Sequence, residues 1–158
     1  MNIFAEKIFV VQSLTKIFAV SGLRLGFAVA EKNFTEKLNF AKDVWNVNFL
    51  AQKVGVAALS DEKYLQDTRI WLEAEKKYFA EKLGEMDGIK IFEPSVNFIL
   101  IRLESKESAE KVLKKLRAKK ILVRSCGNFL GLDERFLRLA IRTREENNFL
   151  LKNLSEII

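Results

Sequence analysis

The run NFILIRL at residues 97–103 constrains the fold more than any other stretch of this sequence. All but two of its residues are apolar, and an almost continuous apolar run of this length is typical of a strand at the centre of a sheet. A central strand has a neighbouring strand on each side, and helices cover the apolar face of such a sheet. The remaining sequence must therefore supply several more strands and helices.

The segments around this run predict those elements. Asn48 is a favourable N-cap for a helix over 49–59, and Ser60 opens a long amphipathic helix that continues to about Met86. Further along, the sequence predicts strands over 89–92, 121–124 and 136–141, a helix from Ser105 to about Lys119, and a last helix after the capping-box pattern of Thr143 and Glu146. Residues 46–158 therefore predict one compact α/β layer.

Residues 1–45 follow a different pattern. A strand is predicted over 8–11, a second strand over 23–29, and a short amphipathic helix over about 34–43. This combination of elements differs from the layer that follows. The sequence therefore predicts two domains, over 1–45 and 46–158.

The sequence contains no histidine and a single cysteine, Cys126, which narrows the possible chemistry. Ordinary zinc and iron sites need these ligands, so no bound metal is expected. Catalysis by a serine–histidine or cysteine–histidine pair is excluded for the same reason. A nucleophile would have to be a lysine, a carboxylate or a hydroxyl, and Cys126 is predicted to be an inert thiol.

The net charge of +6 would suit a nucleic-acid binder, but acidic residues separate the 18 lysines and 9 arginines along the chain. We therefore expect solvated helix faces and a few anion-binding arginines, with no nucleic-acid partner. Glu6 and Lys7 interrupt the apolar N-terminal stretch, and no apolar run approaches the length of a membrane span. These features predict a cytoplasmic protein with no signal peptide and no membrane partner.

The segment SLTKIFAVSGLRLG, residues 13–26, raises the question of what Lys16 does. Most lysines are surface charges, and that explanation stays open. The apolar neighbours of Lys16, however, would desolvate the amine and favour its neutral, nucleophilic form, and Ser13 and Thr15 offer hydroxyl donors. Arg24, on a predicted strand between two glycines, adds a guanidinium that can bind phosphate. A lysine for an aldehyde and an arginine for a phosphate together indicate pyridoxal phosphate.

This segment resembles the cofactor-lysine segment of the class I/II aminotransferases, which are fold type I pyridoxal-phosphate enzymes. It is most similar to the branch that holds histidinol-phosphate aminotransferase and threonine-phosphate decarboxylase. The resemblance implies that Lys16 carries the cofactor and acts in catalysis, and that Ser13, Thr15 and Arg24 bind the cofactor phosphate. It also implies an α/β fold in which the second domain is the small C-terminal domain, with helices packed on a small sheet. The first domain is then a remnant of the large cofactor-binding domain.

A second group of candidate residues lies in the segment FLRLAIRTREEN, residues 136–147. On a strand, Arg138, Arg142 and Arg144 would share one face and repel one another unless acids or anions lie between them. Pairing with Glu145, Glu146 or Asp133 is the simplest explanation, and it is preferred for Arg144.

The resemblance assigns roles within this group. The stretch FLRLAI resembles the family segment whose arginine binds the substrate carboxylate, which implies that role for Arg138. Arg142 departs from the commoner family pattern, and a second substrate anion such as a phosphate would account for it. Asn97 matches a family position near the substrate carboxylate, although a buried strand asparagine bonded to backbone is an open alternative.

The resemblance implies an enzyme that acts on an amino-acid or amino-phosphate substrate by transamination or decarboxylation. Upstream of Lys16 the only acidic residue is Glu6, so the aspartate that pairs with the pyridinium nitrogen in this family is missing. We therefore expect a truncated chain that neither holds the cofactor firmly nor turns over by itself, and that forms a homo-oligomer through its first domain. The alternative is a non-catalytic interaction or regulatory domain derived from an aminotransferase.

Overall fold

A computed structural model of the chain describes residues 8–105 and 107–158. The chain divides into two compact units, the first ending at Tyr64 and the second covering Leu65–Ile158. The division of the sequence at residue 45 stays a prediction about domains. Glu6, on which the missing-carboxylate argument depends, and Lys7 lie outside the described residues.

The first unit contains a two-stranded antiparallel sheet and helices that follow it. Strand β1 pairs with β2 so that Val10 lies opposite Val29 and Ser13 lies opposite Gly26. In chain order the elements are β1 (Val10–Ser13), the single turn α1 (Leu14–Ile17), a 3-10 turn (Ser21–Leu23), β2 (Gly26–Val29), α2 (Lys32–Ala41) and α3 (Phe49–Leu59). The long helix α4 (Glu62–Gly84) begins in this unit.

Two sequence predictions for the first unit have opposite outcomes. Helix α3 begins and ends where the sequence predicts, because the Asn48 side chain accepts a hydrogen bond from the Ala51 N–H and so caps the helix. Strand β2, in contrast, begins at Gly26, and the prediction of a strand from residue 23 is wrong. Arg24 has a left-handed backbone conformation (φ 54°, ψ 48°), which a strand does not accommodate.

The second unit is built on a four-stranded antiparallel sheet with strand order β3-β4-β6-β5. Its strands are β3 (Ile89–Phe92), β4 (Phe98–Leu103), β5 (Arg124–Ser125) and β6 (Phe136–Ala140), and its further helices are α5 (Ala109–Ala118) and α6 (Arg144–Ser155). Strand β4 has β3 on one side and β6 on the other. The prediction that NFILIRL forms a central strand is therefore confirmed.

One face of this sheet forms the core of the second unit. Alternate residues of β4 and β6 are buried, while the residues between them lie on the other face of the sheet. The buried face packs against α4, α5 and α6 through a single apolar cluster, whose largest members are Phe79, Leu83, Ile99, Ile101, Leu103, Leu116, Leu137, Leu139 and Leu154. This arrangement of helices on one face of a small sheet confirms the predicted α/β fold class.

Element boundaries in the second unit differ from the sequence predictions at two places. Helix α5 is capped by Ser108, because its apolar stripe begins at Ala109, and the prediction that Ser105 caps this helix is wrong. Residues 121–123 do not join the sheet, so β5 holds only two residues. The capping box of Thr143 and Glu146 is present at the start of α6, as predicted.

Candidate functional site

Lys16 lies in the single helical turn α1, directly after β1. Its neighbours Leu14 and Thr15 are buried, whereas the Lys16 side chain is exposed. The expectation that apolar neighbours desolvate this amine is therefore wrong for the described residues, because the turn directs Leu14 inward and Lys16 outward. A nucleophilic role of Lys16 stays a prediction, and it would depend on the polar neighbours of the amine.

Two hydroxyl groups lie beside the lysine. The Oγ of Ser13 and the Oγ1 of Thr15 are 2.7 Å apart, and the Nζ of Lys16 donates a hydrogen bond of 3.3 Å to the Ser13 Oγ. Thr15 is buried and Ser13 is half-buried, so the hydroxyl pair has a fixed position beneath the amine. The structure thus brings together three of the four residues that the sequence predicts for cofactor binding.

Arg24, the fourth residue, reaches the same place from the other side of the loop. Its exposed guanidinium donates from Nη1 to the Ser21 carbonyl (3.3 Å). Ser13, Thr15 and Arg24 all line one open depression of about 420 Å³ beside strands β1 and β2, whereas Lys16 is not among the described residues that line it and is connected to it through Ser13. A guanidinium and two hydroxyls around an open depression are the groups that bind a phosphate in proteins.

The two glycines of this loop differ in what surrounds them. A Cβ on Gly26 would lie 2.7 Å from the Gln12 backbone oxygen, so the close pairing of β1 and β2 at this point requires glycine. A Cβ on Gly22 would meet no heavy atom of the described residues within 4 Å. The close backbone approach at Gly26 therefore serves the pairing of β1 with β2.

Arg138 lies in the second unit, on the sheet face opposite the core. It is exposed, it lies between Leu100 of β4 and Arg124 of β5, and its guanidinium carbon is 5.0 Å from the centre of the Phe98 ring. Within residues 8–105 and 107–158, the ion pairs do not join either Arg138 or Arg124 to an acid. Arg138 is therefore available for an external anion.

Arg124 is a candidate residue that sequence reasoning missed. It lies directly opposite Arg138 in the antiparallel pairing of β5 and β6, so the two side chains share one face of the sheet. Its Nη2 donates to the Asn128 Oδ1 (3.1 Å), and its guanidinium lies over the Phe129 ring. The predicted strand over 121–124 already contained Arg124, and aligning that strand with β6 would have placed it beside Arg138.

The other candidate residues of the second unit have different surroundings. Arg142 follows β6 and pairs with Glu146, through Nε (2.8 Å) and Nη2 (2.7 Å), so its role in binding a substrate anion stays a prediction. Asn97 is exposed and precedes β4, and its backbone carbonyl accepts from the Ile141 N–H, so the alternative of a buried strand asparagine is wrong. Its role near the substrate carboxylate stays a prediction.

The preferred explanation for Arg144, a pairing with a nearby acid of the same segment, is wrong. Arg144 begins α6, and its Nε lies 3.0 Å from both carboxylate oxygens of Glu75 on α4. Glu75 is buried, and the Asn147 side chain donates a further hydrogen bond to it (3.2 Å). The hydrogen bonds from Arg144 lower the pKa of Glu75 despite its burial.

Comparison with known proteins identifies the family to which the chain belongs. The sequence profile of the family described as "Aminotransferase class I and II" matches residues 3–154. The chain belongs to this family, as the segments around Lys16 and Arg138 predicted.

Individual relatives carry two kinds of name. Histidinol-phosphate aminotransferase of Desulfitobacterium hafniense is 36% identical over 156 residues, which are 98% of this chain and 42% of that protein. Threonine-phosphate decarboxylase of Salmonella typhimurium is 34% identical over 152 residues, which are 96% of this chain and 41% of that protein. The crystal structure of histidinol-phosphate aminotransferase from Clostridium acetobutylicum matches with a TM-score of 0.90 and 34% identity, over 94% of this chain and 45% of that one.

The chain thus spans about two fifths of the length of the curated relatives that it matches. Over the described residues, the structure contains no helix with the length and apolar character that crossing a membrane requires.

Proposed function

We propose that the loop around Lys16 is a pyridoxal-phosphate site and that Lys16 is the residue to which the cofactor attaches. The donor set supports this proposal. An exposed primary amine lies 3.3 Å from the hydroxyl of Ser13, and that hydroxyl lines the same depression as Thr15 and Arg24. The amine can react with the aldehyde of pyridoxal phosphate, and the hydroxyls and the guanidinium can bind its phosphate. The residues present therefore fit this cofactor.

When bound, the cofactor would supply an electron sink that weakens the bonds to the α-carbon of an amino substrate. The residues of this chain have the supporting roles. Arg24, Ser13 and Thr15 bind the phosphate and so fix the position of the ligand relative to Lys16. The Lys16 Nζ, oriented by its hydrogen bond to the Ser13 Oγ, holds or moves a proton as general base or acid.

Arg138 and Arg124 support a proposal about the substrate. Two guanidiniums that face each other across adjacent strands, without acids paired to them in the described parts of the chain, suit a ligand with two anionic groups. A phosphorylated amino acid carries a carboxylate and a phosphate. Two of the relatives are named after phosphorylated compounds, as threonine-phosphate decarboxylase and histidinol-phosphate aminotransferase. We therefore propose an amino-phosphate substrate, with decarboxylation favoured and transamination as the second candidate.

The single observation that carries the proposal is the contact between Lys16 and Ser13, and selective labelling of Lys16 tests it. The protein is mixed with pyridoxal phosphate, the adduct is reduced with borohydride, and each of the 18 lysines is quantified by peptide mass spectrometry. Since reduction makes the bond permanent, transient occupancy is enough. We expect Lys16 to be labelled roughly tenfold above the other lysines, because a charge-assisted hydrogen bond contributes about 1.5–3 kcal/mol.

Two controls separate phosphate recognition from simple lysine reactivity. Pyridoxal without its phosphate should show no preference for Lys16. The variant Arg24→Asn keeps a residue type that tolerates the left-handed conformation but removes the guanidinium, so it should lose the preference. Equal labelling of all exposed lysines in the unaltered protein would contradict the proposal and favour the non-catalytic alternative.

We also propose that the protein forms a homo-oligomer through its first unit. All four residues of β2 are exposed, and β1 and β2 together expose several large apolar side chains, namely Val10, Val11, Phe27 and Val29. Exposed apolar patches of this kind mark interaction surfaces. Light scattering should give at least twice the monomer mass, and Val11→Lys should reduce that mass. A clean monomer would contradict this proposal.

A further inference from the structure

The backbone carbonyl of Ile17, the residue after Lys16, accepts a hydrogen bond from a side chain that is distant in sequence. The hydroxyl of Tyr64, in the first turn of α4, donates a hydrogen bond of 3.1 Å to the backbone carbonyl of Ile17. The Tyr64 ring also stacks on Phe18, with ring centres 5.6 Å apart and an interplanar angle of 27°. The side chain of Asp61 accepts from the Tyr64 N–H (2.9 Å), which fixes the start of the helix that carries the tyrosine.

The carbonyl that precedes Arg24 is held in the same way. The Nδ2 of Asn48 donates 3.3 Å to the backbone carbonyl of Leu23, while its Oδ1 accepts from the Ala51 N–H and caps α3. One asparagine therefore joins the helix start to the loop. Both holding side chains, Asn48 and Tyr64, lie in the first unit, Asn48 at the N-cap of α3 and Tyr64 in the first turn of α4.

The loop needs such support because its own backbone bonding is sparse. Helix α1 has a single turn, too short to be stable alone. The carbonyls of Leu14 and Lys16 accept from the following turn, and the carbonyl of Ile17 accepts from Tyr64. The loop also contains two non-glycine residues with positive φ, Ala19 and Arg24. Such conformations persist only where surrounding contacts impose them.

We propose that Tyr64 and Asn48 are positioning residues for the cofactor site: their side chains hold the carbonyls beside Lys16 and Arg24 and so set the directions of the amine and the guanidinium. This inference rests on the proposed function of the Lys16 loop. Neither side chain needs to touch the ligand. Their contribution is to keep the two ligand-binding groups oriented before the ligand arrives, which lowers the entropy lost on binding.

The two tyrosines of the chain provide a matched test. Tyr64→Phe removes only the hydroxyl and keeps the ring that stacks on Phe18. Tyr78→Phe makes the same change on the same helix, where the hydroxyl contacts the Asn148 side chain in the second unit. We expect Tyr64→Phe to lower the labelling of Lys16 by pyridoxal phosphate roughly three- to tenfold relative to the other lysines, the range that one hydrogen bond supplies. Tyr78→Phe should leave it unchanged.

Asn48 is tested by variants that separate its two bonds. Asn48→Asp and Asn48→Ser keep an oxygen that caps α3. The aspartate has no donor for the Leu23 carbonyl, and the serine hydroxyl lies on a side chain one bond shorter than the amide that donates to it. Both should reduce the preference for pyridoxal phosphate over pyridoxal at Lys16, because Arg24 loses its orientation. Circular dichroism should show that the helices of these variants are retained.

A readout without ligand completes the test. Native-state hydrogen exchange of the Phe18 and Ala19 amides should accelerate severalfold in Tyr64→Phe and stay unchanged in Tyr78→Phe. If the unaltered protein shows no preference for Lys16, the proposed function fails and this inference fails with it. If the preference is present but Tyr64→Phe labels Lys16 as efficiently as Tyr78→Phe does, only the inference is overturned. Loss of labelling together with faster exchange supports both.

Discussion

Arg144 and Glu75 form a bidentate ion pair in the second unit, with the Arg144 Nη2 2.8 Å from one carboxylate oxygen and the Nε 3.0 Å from both. The carboxylate is buried, and the guanidinium also stacks on the Tyr78 ring, 3.6 Å from its centre. Asn147 extends this pair to the end of β6, because its side chain bonds both the N–H and the carbonyl of Arg142. The start of α6, the middle of α4 and the end of β6 are therefore joined by one polar network.

Asn147→Ala should destabilise the second unit more than an equivalent change elsewhere on α6. Asn147 is 1% exposed and makes three hydrogen bonds, so its removal leaves a backbone N–H, a backbone carbonyl and Glu75 each short of a partner. We expect a loss of about 2–4 kcal/mol in the free energy of unfolding, measured by urea denaturation. Asn153→Ala is the matched control, since Asn153 is buried on the same helix and makes one bond to the Phe149 carbonyl. A loss of about 1 kcal/mol is expected there, and equal losses would contradict the network.

Glu146 should give the second unit an acid-sensitive stability. Hydrogen bonds from Arg142, and then from Thr143, lower the pKa of Glu146 from its ordinary value of 4.5 to about 2. A carboxyl whose pKa is depressed by folding stabilises the fold above its unfolded pKa and loses that contribution as pH falls through the folded value. We expect the midpoint temperature of thermal unfolding to decrease as the pH is lowered from about 4.5 to about 2. In Glu146→Gln, the midpoint temperature should change less over this pH range. Glu145→Gln changes the charge equally and should leave the profile intact.

Gly26→Ala should disrupt the loop around Lys16, whereas Gly22→Ala should not. The new methyl at position 26 would lie 2.7 Å from the Gln12 backbone oxygen, and a backbone atom cannot rotate away. We expect Gly26→Ala to destabilise the loop by about 1–3 kcal/mol and to reduce labelling of Lys16. Gly22→Ala should stay within about 0.5 kcal/mol, since position 22 has open space around it among the described residues. Hydrogen exchange of the β1 and β2 amides measures both variants.

If Arg138 binds the substrate carboxylate as proposed, Arg138→Ala should weaken binding of O-phospho-L-threonine to the protein roughly tenfold or more, because the variant cannot make a bidentate guanidinium–carboxylate contact. The measurement is a titration followed by the arginine Nε–Hε resonances in NMR spectra. Arg102→Ala is the control: Arg102 lies on the same strand pair but contacts Glu104 at 3.5 Å, and its loss should change the affinity little. Equal affinities of the two variants would contradict the role of Arg138.

The sequence predicted most elements whose signals are local. Asn48 and Thr143 have capping side chains that act on the next turn, so the helices after them begin where the pattern places them. The central position of β4 agrees with its apolar run, which is typical of a strand with a neighbour on each side. The hydroxyls beside Lys16 also lie where the residue spacing places them.

The remaining features depend on contacts that are distant in sequence. Glu75 is 69 residues from Arg144, so local charge patterns pointed to the wrong partners. Arg24 looks like a strand residue between two leucines, but the 3-10 turn before it ends in a left-handed residue. The exposure of Lys16 depends on the single turn that buries Leu14 instead, and an apolar composition does not reveal which side chains turn inward.

The pairing of Arg124 with Arg138 has a consequence for the medium in which the protein is handled. Side chains directly opposite on antiparallel strands stand about 5 Å apart at Cβ, inside the Debye length of about 8 Å at physiological ionic strength. Dissolved salt therefore leaves part of their repulsion unscreened, and an anion bound between the two guanidiniums would relieve it. We expect sulfate or phosphate ions from a buffer to bind at this edge of the sheet and to compete with any dianionic ligand. Dilute chloride buffers should leave the two arginines accessible.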